Sequence, residues 1–281
     1  MQVVQSLTVM REQLDQWRAE GDRVVLVPTM GNLHAGHLSL VLTAKNLGER
    51  VVVSIYVNPT QFGEGEDFGS YPRTLADDCR RLMDAGADLV FTPEDSTMYP
   101  LGIERATQMQ IPLISDELDG QHRPGHFDGV ATVVCRLFAM VAPDLAVFGQ
   151  KDYQQLQVIR QMVADLSLPV DVRYGRTVRE DDGLAMSSRN QYLSKNERVI
   201  APRLHDELTS IRESLATGSR DYQSLEAAAL AALEAAGFDP DYVSIRDPDT
   251  LAHSESTDKR WVILAAAVLG RARLIDNIIV D

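Results

Sequence analysis

Four short apolar segments separated by amphipathic stretches constrain the fold of this 281-residue chain more than any other feature. They predict buried strands, because each is short and rich in valine or leucine, at residues 24–27, 51–57, 89–91 and 145–148. The stretches between and after them predict helices near residues 38–47, 74–85, 130–141 and 153–166. Strands that alternate with helices indicate an α/β fold, with a Rossmann-like parallel sheet covered on both faces.

The pattern changes after about residue 177. Two helices are predicted at residues 195–216 and 222–236, and Gly237 suits the end of the second, because glycine readily adopts the left-handed conformation. Strands joined by turns are predicted at residues 242–245, 261–269 and 274–280. We therefore expect residues 1–177 to form the Rossmann-like domain and residues 178–281 to form a smaller C-terminal α+β domain.

The charge balance excludes some classes of partner. Lysine and arginine number 27 against 41 aspartate and glutamate residues, so the net charge of −14 disfavours a nucleic-acid surface. No apolar run approaches the roughly 20 residues of a membrane span, and residues 1–21 carry charges rather than a signal core. Cys79 and Cys135 are expected to be reduced, which suits the cytoplasm, although a disulfide remains open.

The segment PTMGNLHAGH, residues 28–37, follows the first predicted strand and leads into a helix. A helix N-terminus presents unpaired backbone N–H groups and the positive end of the helix dipole, which suits a phosphate. His34 and His37 share one face of the first turn, where their imidazoles can donate hydrogen bonds to phosphate oxygens. A structural pair, or half of a metal site, is the alternative.

A second segment, GLAMSSRN at residues 183–190, combines a glycine, two hydroxyl groups and a guanidinium. Small hydroxyl donors and a planar guanidinium fork suit the oxygens of a triphosphate. Taken alone, such a loop is more often a solvated turn. Pro28, Asn58 and Gly149 each follow a predicted parallel strand, so we expect the segments they begin to meet at one crevice.

Further segments narrow these features to one family. In chain order they are YVNPTQF (56–62), YPRT (71–74), RPGHFDGV (123–130), FGQKDYQQL (148–156), DGLAMSSRN (182–190) and ARLIDN (272–277). Together they resemble pantothenate synthetase, the pantoate–β-alanine ligase of the nucleotidylyltransferase superfamily. The resemblance implies an ATP-dependent condensation of pantoate with β-alanine through a pantoyl-adenylate, which releases AMP and pyrophosphate. It also implies a homodimer and a C-terminal domain that closes over the ATP site.

The resemblance assigns roles to individual residues. Catalysis falls to His37, the implied proton donor, and to His34 and Lys151. Pantoate is bound by Gln61 and Gln155, with Gln61 also near β-alanine. ATP is bound by Met30, Gly31, His34, His37, Gly149, Gln150, Lys151, Asp152, Val178, Met186, Ser187, Ser188 and Arg189. A further expectation is an apolar wall for the methyl groups of pantoate, formed by Pro28, Met30, Val133 and Val134. The two valines are the weaker members, because they lie on a predicted helix and are more often core residues there.

Some assignments stay open. Gln150 stands where the family pattern has glutamate, so a role that needs a carboxylate there is in doubt. The reaction implies Mg²⁺, and Asp77 and Asp78 offer carboxylates, but capping of a helix near Thr74 explains an acidic residue equally well. Arg81 argues against a cation site, so no metal ligand is assigned.

Two loops are further expectations. Arg123 and His126 resemble a family stretch near the active site. Residues 63–69 are glycine-rich and suit a mobile loop that keeps water from the anhydride, although glycine-rich surface turns are common.

Two rival functions remain at this point. One is a nucleotidyltransferase whose product is itself the adenylylated compound, which would need no amine. The other is a nucleotide-binding regulator without turnover, against which the full set of six candidate groups argues: His34, His37, Lys151, Ser187, Ser188 and Arg189.

Overall fold

The structure is a computed structural model that describes residues 1–255 and 257–281. The described chain divides into two compact units. The N-terminal unit comprises Met1–Gln150 and Gln155–Arg176, and the C-terminal unit comprises Lys151–Gln154 and Thr177–Asp281. Residues 151–154 therefore belong to the C-terminal unit, although the residues that follow them in sequence, 155–176, belong to the N-terminal unit.

The N-terminal unit is built on a sheet of six parallel strands in the order β1-β4-β3-β2-β5-β6. The strands are β1 Gln2–Val4, β2 Val24–Thr29, β3 Arg50–Ile55, β4 Leu89–Phe91, β5 Leu145–Gly149 and β6 Asp171–Gly175. The four predicted strands are confirmed. Sequence reasoning missed β1, which has only three residues, and β6, whose sequence DVRYG is largely exposed and lacks an apolar run.

Seven helices cross over between these strands or flank them. They are α1 Leu7–Ala19, α2 Ala35–Lys45, α3 Leu75–Ala85, α4 Asp95–Met98, α5 Asp119–His122, α6 His126–Val141 and α7 Tyr153–Asp165. The amphipathic helix α1 was missed, and α6 begins four residues before its predicted start. Val133 and Val134 of α6 are buried, which favours the core interpretation of these two residues. The strand order reverses between β2 and β5, and such a reversal is where parallel α/β sheets bind ligands.

The C-terminal unit packs helices on a three-stranded antiparallel sheet. Its elements are α8 Lys195–Ile200, α9 Arg203–Ala216, α10 Tyr222–Ala235, β7 Asp239–Arg246, β8 Trp261–Leu269 and β9 Ala272–Val280. The prediction of one helix over residues 195–216 was wrong, because α8 ends before Pro202, which has no backbone N–H to continue the hydrogen-bond ladder. Gly237 follows α10 with a φ of 97°, as its predicted role at the helix end requires.

The observed architecture is therefore the predicted one, a Rossmann-like parallel sheet with a smaller α+β part. Within the residues that the structure describes, no helix is both long and apolar enough to cross a membrane.

Candidate functional site

Three of the predicted segments begin at the carboxyl edge of the parallel sheet. Met30 follows the last residue of β2, the segment of Asn58 and Gln61 follows β3, and Gln150 follows the end of β5. Because the strands are parallel, these ends lie on one edge of the sheet. The Gln61 side-chain amide donates to the sulfur of Met30 over 3.2 Å, so the loops after β2 and β3 are in contact.

His34 and His37 form the start of α2. His34 is the N-cap residue, and its Nδ1 accepts a hydrogen bond from the backbone N–H of Gly36 over 3.1 Å. Nδ1 of His37 accepts from the backbone N–H of His34 over 3.3 Å. An imidazole whose Nδ1 accepts carries its proton on Nε2 when it is neutral. Both rings, with centroids 4.1 Å apart, therefore carry their donor N–H on Nε2 at a helix N-terminus.

The turn before these histidines is held by Asp78 of α3, which is 1% exposed. Its carboxylate accepts the backbone N–H groups of Asn32 and Leu33 over 3.0 and 2.8 Å and the hydroxyl of Thr74 over 3.1 Å. Gly31 has a φ of 82°, and an added Cβ there would lie 3.1 Å from the Asp78 carboxylate, so glycine fits both the turn and the close approach.

These contacts show whether the carboxylates of Asp77 and Asp78 could bind Mg²⁺. Both oxygens of Asp78 are used by the protein itself. Asp77 forms ion pairs with Arg80 and Arg81, each at 2.8 Å, which places two cations where a metal ion would have to bind. Thr74 makes no side-chain cap for α3 and instead donates to Asp78. The pair does not fit a metal site, and the described residues contain no cluster of three metal-ligating side chains.

Gln61 is buried beside Asn58, which orients its amide. The Asn58 amide donates to Oε1 of Gln61 and to the carbonyl of Gly129, both over 3.2 Å. The hydroxyl of Tyr99 donates to Oδ1 of Asn58 over 2.6 Å. Because Oε1 of Gln61 accepts from Asn58, its NH₂ group is the side that points toward Met30. The sequence motif alone gave Asn58 no role, since Tyr99 and Gly129, which hold its side chain, lie far away in sequence.

Arg123 and His126 form a polar cluster with Glu66 of the glycine-rich loop. The Arg123 guanidinium contacts both oxygens of Glu66 at 2.7 Å, so residues 63–69 are tied down at Glu66. His126 lies 2.9 Å from Arg123 Nη1 through Nε2 and 2.8 Å from the Gln61 carbonyl through Nδ1. A carbonyl only accepts and a guanidinium only donates, so the neutral His126 carries its proton on Nδ1, the reverse of His34 and His37.

The same surroundings shift two pKa values. Burial, followed by the nearby Arg123 charge, lowers the pKa of His126 to about 4. Burial by itself would raise the pKa of Glu66, but its hydrogen bonds and charge contact with Arg123 outweigh that effect and lower it. The cluster therefore holds a neutral imidazole between a charged pair and the backbone of Gln61.

The C-terminal unit carries the second group of predicted residues. Met186 and Val178 pair through their backbones at 3.0 Å, so residues 178–186 form a hairpin that leads to Ser187. Oγ of Ser187 accepts the backbone N–H of Arg189 over 3.2 Å and caps a short 3-10 turn, Ser188–Tyr192. In this unit one cavity is lined by Lys151, Leu184, Ala185, Ser187, Asn190, Leu204, His205, Leu274, Ile275 and Asp276.

The predicted site residues thus fall in two sets. Met30, Gly31, His34, His37, Gln61, Gly149, Gln150 and Gln155 lie in the N-terminal unit. Lys151, Asp152, Val178, Met186, Ser187, Ser188 and Arg189 lie in the C-terminal unit, where Lys151 and Ser187 line the same cavity. Lys151 Nζ is 3.9 Å from the Asp152 carboxylate, and Gln155 is half-buried in the first turn of α7.

The parallel sheet, with its switch point beside a histidine-capped helix, defines the class: a doubly wound α/β protein whose helix N-terminus follows a central strand. The profile of the family described as "Pantoate-beta-alanine ligase" matches residues 2–279. The chain therefore belongs to the pantoate–β-alanine ligase family.

Individual relatives agree with the family profile. A pantothenate synthetase from Thioalkalivibrio sulfidiphilus is 53% identical over 281 residues, covering 100% of this chain and 98% of the relative. One from Shewanella piezotolerans is 51% identical over 280 residues, covering 100% and 99%.

Solved structures extend the likeness to the fold. A pantothenate synthetase from Thermus thermophilus superposes with a TM-score of 0.93 at 45% identity, covering 99% of both chains. A pantoate–β-alanine ligase from Francisella tularensis, solved with β-γ ATP and β-alanine, gives a TM-score of 0.83 at 31% identity, covering 99% of this chain and 97% of that one.

Proposed function

We propose that this enzyme makes pantothenate in two steps. In the first step a carboxylate oxygen of pantoate attacks the α-phosphorus of ATP, and the bond to pyrophosphate breaks. In the second step the amine of β-alanine attacks the carbonyl carbon of the pantoyl-adenylate, AMP leaves with the electron pair of the broken C–O bond, and the amine loses a proton. Membership of the pantoate–β-alanine ligase family supports the overall reaction.

The observation that carries the first step is the arrangement of His34 and His37. Their Nδ1 atoms accept backbone hydrogen bonds, so both neutral rings carry a donor N–H on Nε2 where the dipole of α2 favours negative charge. Charge grows on the phosphoryl oxygens as pyrophosphate leaves, and donors positioned in advance stabilise it. In this proposal His37 is the proton donor and His34 supports it.

The remaining nucleotide contacts are proposed for both units. In the N-terminal unit they are Met30, Gly31, Gly149 and Gln150, and in the C-terminal unit they are Lys151, Asp152, Val178, Met186, Ser187, Ser188 and Arg189. Lys151 supplies a compact positive charge and Arg189 a planar fork for phosphate oxygens. Gln150 keeps hydrogen-bonding capacity without the negative charge of a glutamate, which suits a neighbour of phosphates.

Pantoate is proposed to bind at Gln61 and Gln155. Because Oε1 of Gln61 accepts from Asn58, Gln61 offers its NH₂ group to the substrate, and that group suits the hydroxyl or carboxylate oxygens of pantoate. The β-alanine amine has to reach the same carbonyl carbon, which places β-alanine near Gln61 as well. Alignment of the two bound partners is expected to supply much of the rate.

Mg²⁺ is proposed only as the companion of ATP. Carboxylate oxygens would be the fitting protein ligands, but Asp77 and Asp78 are engaged by arginines and backbone N–H groups. We therefore assign no protein ligand to it and derive no step from it. A homodimer in the cytoplasm that acts on small molecules without nucleic acid is proposed from the family resemblance, and the net charge of −14 agrees with the absence of nucleic acid.

The decisive experiment separates the two half-reactions. With pantoate alone, the enzyme should exchange labelled pyrophosphate into ATP, and pantothenate with AMP should form only after β-alanine is added. Exchange that requires β-alanine would exclude a free pantoyl-adenylate. Net adenylylated product without any amine would favour the nucleotidyltransferase, and ATP binding without either reaction would favour the regulator.

A further inference from the structure

Strand β9 carries two buried polar residues in an otherwise apolar sequence, ARLIDNIIV. Asp276 is 4% exposed and Asn277 is 2% exposed. A carboxylate or amide that is buried without partners is costly, so their partners should show what the residues are for. For each residue one partner lies in a segment of the C-terminal unit for which ATP contacts are proposed: Arg179 for Asp276 and Lys151 for Asn277.

Asp276 acts on the 178–186 hairpin through Arg179. The Arg179 guanidinium binds the carboxylate with two contacts, of 2.6 and 2.9 Å. The same guanidinium donates to the carbonyl of Gly183 over 3.0 Å and to that of Asn277 over 3.4 Å. Arg179 thus joins the turn of the hairpin to β9, and Asp276 fixes the direction of its fork.

The hairpin transmits this placement to the serine–arginine loop. The backbone N–H of Glu180 donates to the carbonyl of Leu184 over 2.8 Å, two residues before Met186 pairs with Val178. Beyond it, the Asn190 amide donates to the Ala185 carbonyl over 3.1 Å. Ser187, the start of the loop, therefore lies between two contacts with the hairpin: that of Met186 before it and that of Asn190 after it.

Asn277 acts on the other segment. Its side-chain amide donates to the backbone carbonyl of Lys151 over 2.9 Å, across 126 positions of the sequence. Lys151, Ser187 and Asp276 line the same cavity, and His205 borders it with Nδ1 3.4 Å from the Asp276 carboxylate. Two successive residues of one strand therefore reach both nucleotide-binding segments.

The ionisation of Asp276 agrees with this role. Burial would by itself raise the pKa of the carboxyl group, but the contacts with His205 and Arg179 outweigh that effect and lower it below its ordinary value. The carboxylate therefore stays charged and keeps the guanidinium in place.

We propose that Asp276 and Asn277 are positioning residues that set the relative places of the Lys151 segment and the Ser187–Arg189 loop. Asp276 acts through Arg179 and the hairpin, and Asn277 acts on the Lys151 backbone. The inference rests on the proposed function, since it concerns segments assigned to ATP. Neither residue is expected to touch the reacting atoms, so their loss should disturb the use of ATP and leave the KM for pantoate nearly unchanged.

The test uses the full-length enzyme and two variants, each of which removes one of the two proposed connections. Asn277→Ala removes the contact with Lys151 and leaves the ion pair in place. Asp276→Asn leaves Arg179 buried without its charge partner and endangers folding, so the double variant Asp276→Asn/Arg179→Gln removes both charges together. A matched control, Asp249→Asn, breaks the exposed ion pair with Arg260 in the same unit. Thermal unfolding and the KM for ATP and for pantoate are measured for each.

We expect Asn277→Ala and the double variant to unfold within a few degrees of the parent and to lose kcat/KM for ATP by roughly 10- to 100-fold, the scale of a misplaced supporting group. Asp249→Asn should behave like the parent. A double variant with parental stability and parental kcat/KM for ATP would overturn the role of Asp276, and the same result for Asn277→Ala would overturn that of Asn277. Failure of the parent enzyme to exchange pyrophosphate would instead reject the proposed function.

Discussion

The histidine segment of the N-terminal unit and the serine–arginine loop of the C-terminal unit are held in place by different means. His34 and His37 are fixed by the backbone of their own helix start, through contacts that span only two or three residues. The serine–arginine loop depends on a hairpin whose anchor, Asp276, lies 97 positions from Arg179. The first arrangement is local, and the second exists only once the C-terminal sheet has formed.

This difference has an energetic side. Imidazole nitrogens that accept backbone N–H groups need no counter-charge, whereas Asp276 and Arg179 are a largely buried ion pair. Removing one partner of such a pair leaves an uncompensated charge and is strongly destabilising, while removing both is often tolerated. Substitutions in the histidine segment should therefore affect chemistry with limited loss of stability, and single substitutions of the ion pair should affect both.

The largest effect that tests this comparison is expected at the histidines. His34→Ala or His37→Ala should lower kcat by roughly 10²-fold or more, the scale for losing one positioned donor. Each substitution also leaves one backbone N–H at the start of α2 without its side-chain acceptor, at a cost of roughly 0.5–2 kcal/mol of stability. Steady-state kinetics and thermal unfolding measure the two effects separately.

The control for this prediction is His34→Asn. Asparagine keeps a side-chain acceptor at the N-cap but has no group at the position of Nε2, so stability should return and kcat should not. The exposed His253→Ala should leave both unchanged. Recovery of kcat in His34→Asn would mean that the ring serves only the helix. Zinc bound in stoichiometric amount and lost in both histidine variants would instead revive the metal interpretation.

A smaller effect is expected at Gln61, which lies in the same unit but belongs to the pantoate half of the proposed site. Gln61→Ala should weaken the use of pantoate by roughly 1–3 kcal/mol, the cost of leaving a buried polar partner unpaired. Gln61→Glu should be worse, because a second carboxylate repels that of pantoate. The dissociation constant of ATP, measured without pantoate, should barely change.

Gln108→Ala, at an exposed position of the same unit, is the matched control and should match the parent in both measurements. A variant at Gln61 that loses affinity for ATP while the KM for pantoate stays constant would move Gln61 into the nucleotide half of the site. The two units would then differ only in how their candidate site residues are held in place, and not in which substrate those residues bind.

The difference between local and long-range contacts also explains which features could be predicted from the sequence. The apolar runs of β2 to β5 and the position of His34 and His37 at a helix start depend on neighbours within a few residues, so the pattern revealed them. The role of Asn58 depends on Tyr99 and Gly129, and the ion pair of Asp276 depends on Arg179. Single-sequence periodicity carries no information about such distant partners. The exposed edge strand β6 was missed for a related reason, since nothing in DVRYG distinguishes it from a loop.

The smallest predicted effect concerns His126, whose neutral tautomer is the opposite of that of His34 and His37. Its pKa falls from the ordinary value of 6.5 to about 4 because of burial and the Arg123 charge. Between those values the unfolded chain binds a proton that the folded chain does not, so the free energy of unfolding rises with pH and falls on acidification. The contribution of His126 is complete above about pH 6.5 and is lost progressively as the pH approaches about 4.

From about pH 7 to about pH 5.5 this group alone should cost about 1 kcal/mol of stability. Other groups titrate in the same range, so the measurement is a difference between the parent and His126→Gln, which keeps a donor and an acceptor but cannot be protonated. Chemical unfolding at the two pH values should show a steeper loss in the parent by about that amount. Equal losses in the two proteins would mean that the pKa of His126 is not lowered in the folded protein, and that the contact of Nε2 with Arg123 does not keep the ring neutral. The position of the loop that carries Gln61 would then not depend on whether His126 is neutral. In that respect the loop would resemble the start of α2, where backbone contacts hold His34 and His37 without a counter-charge.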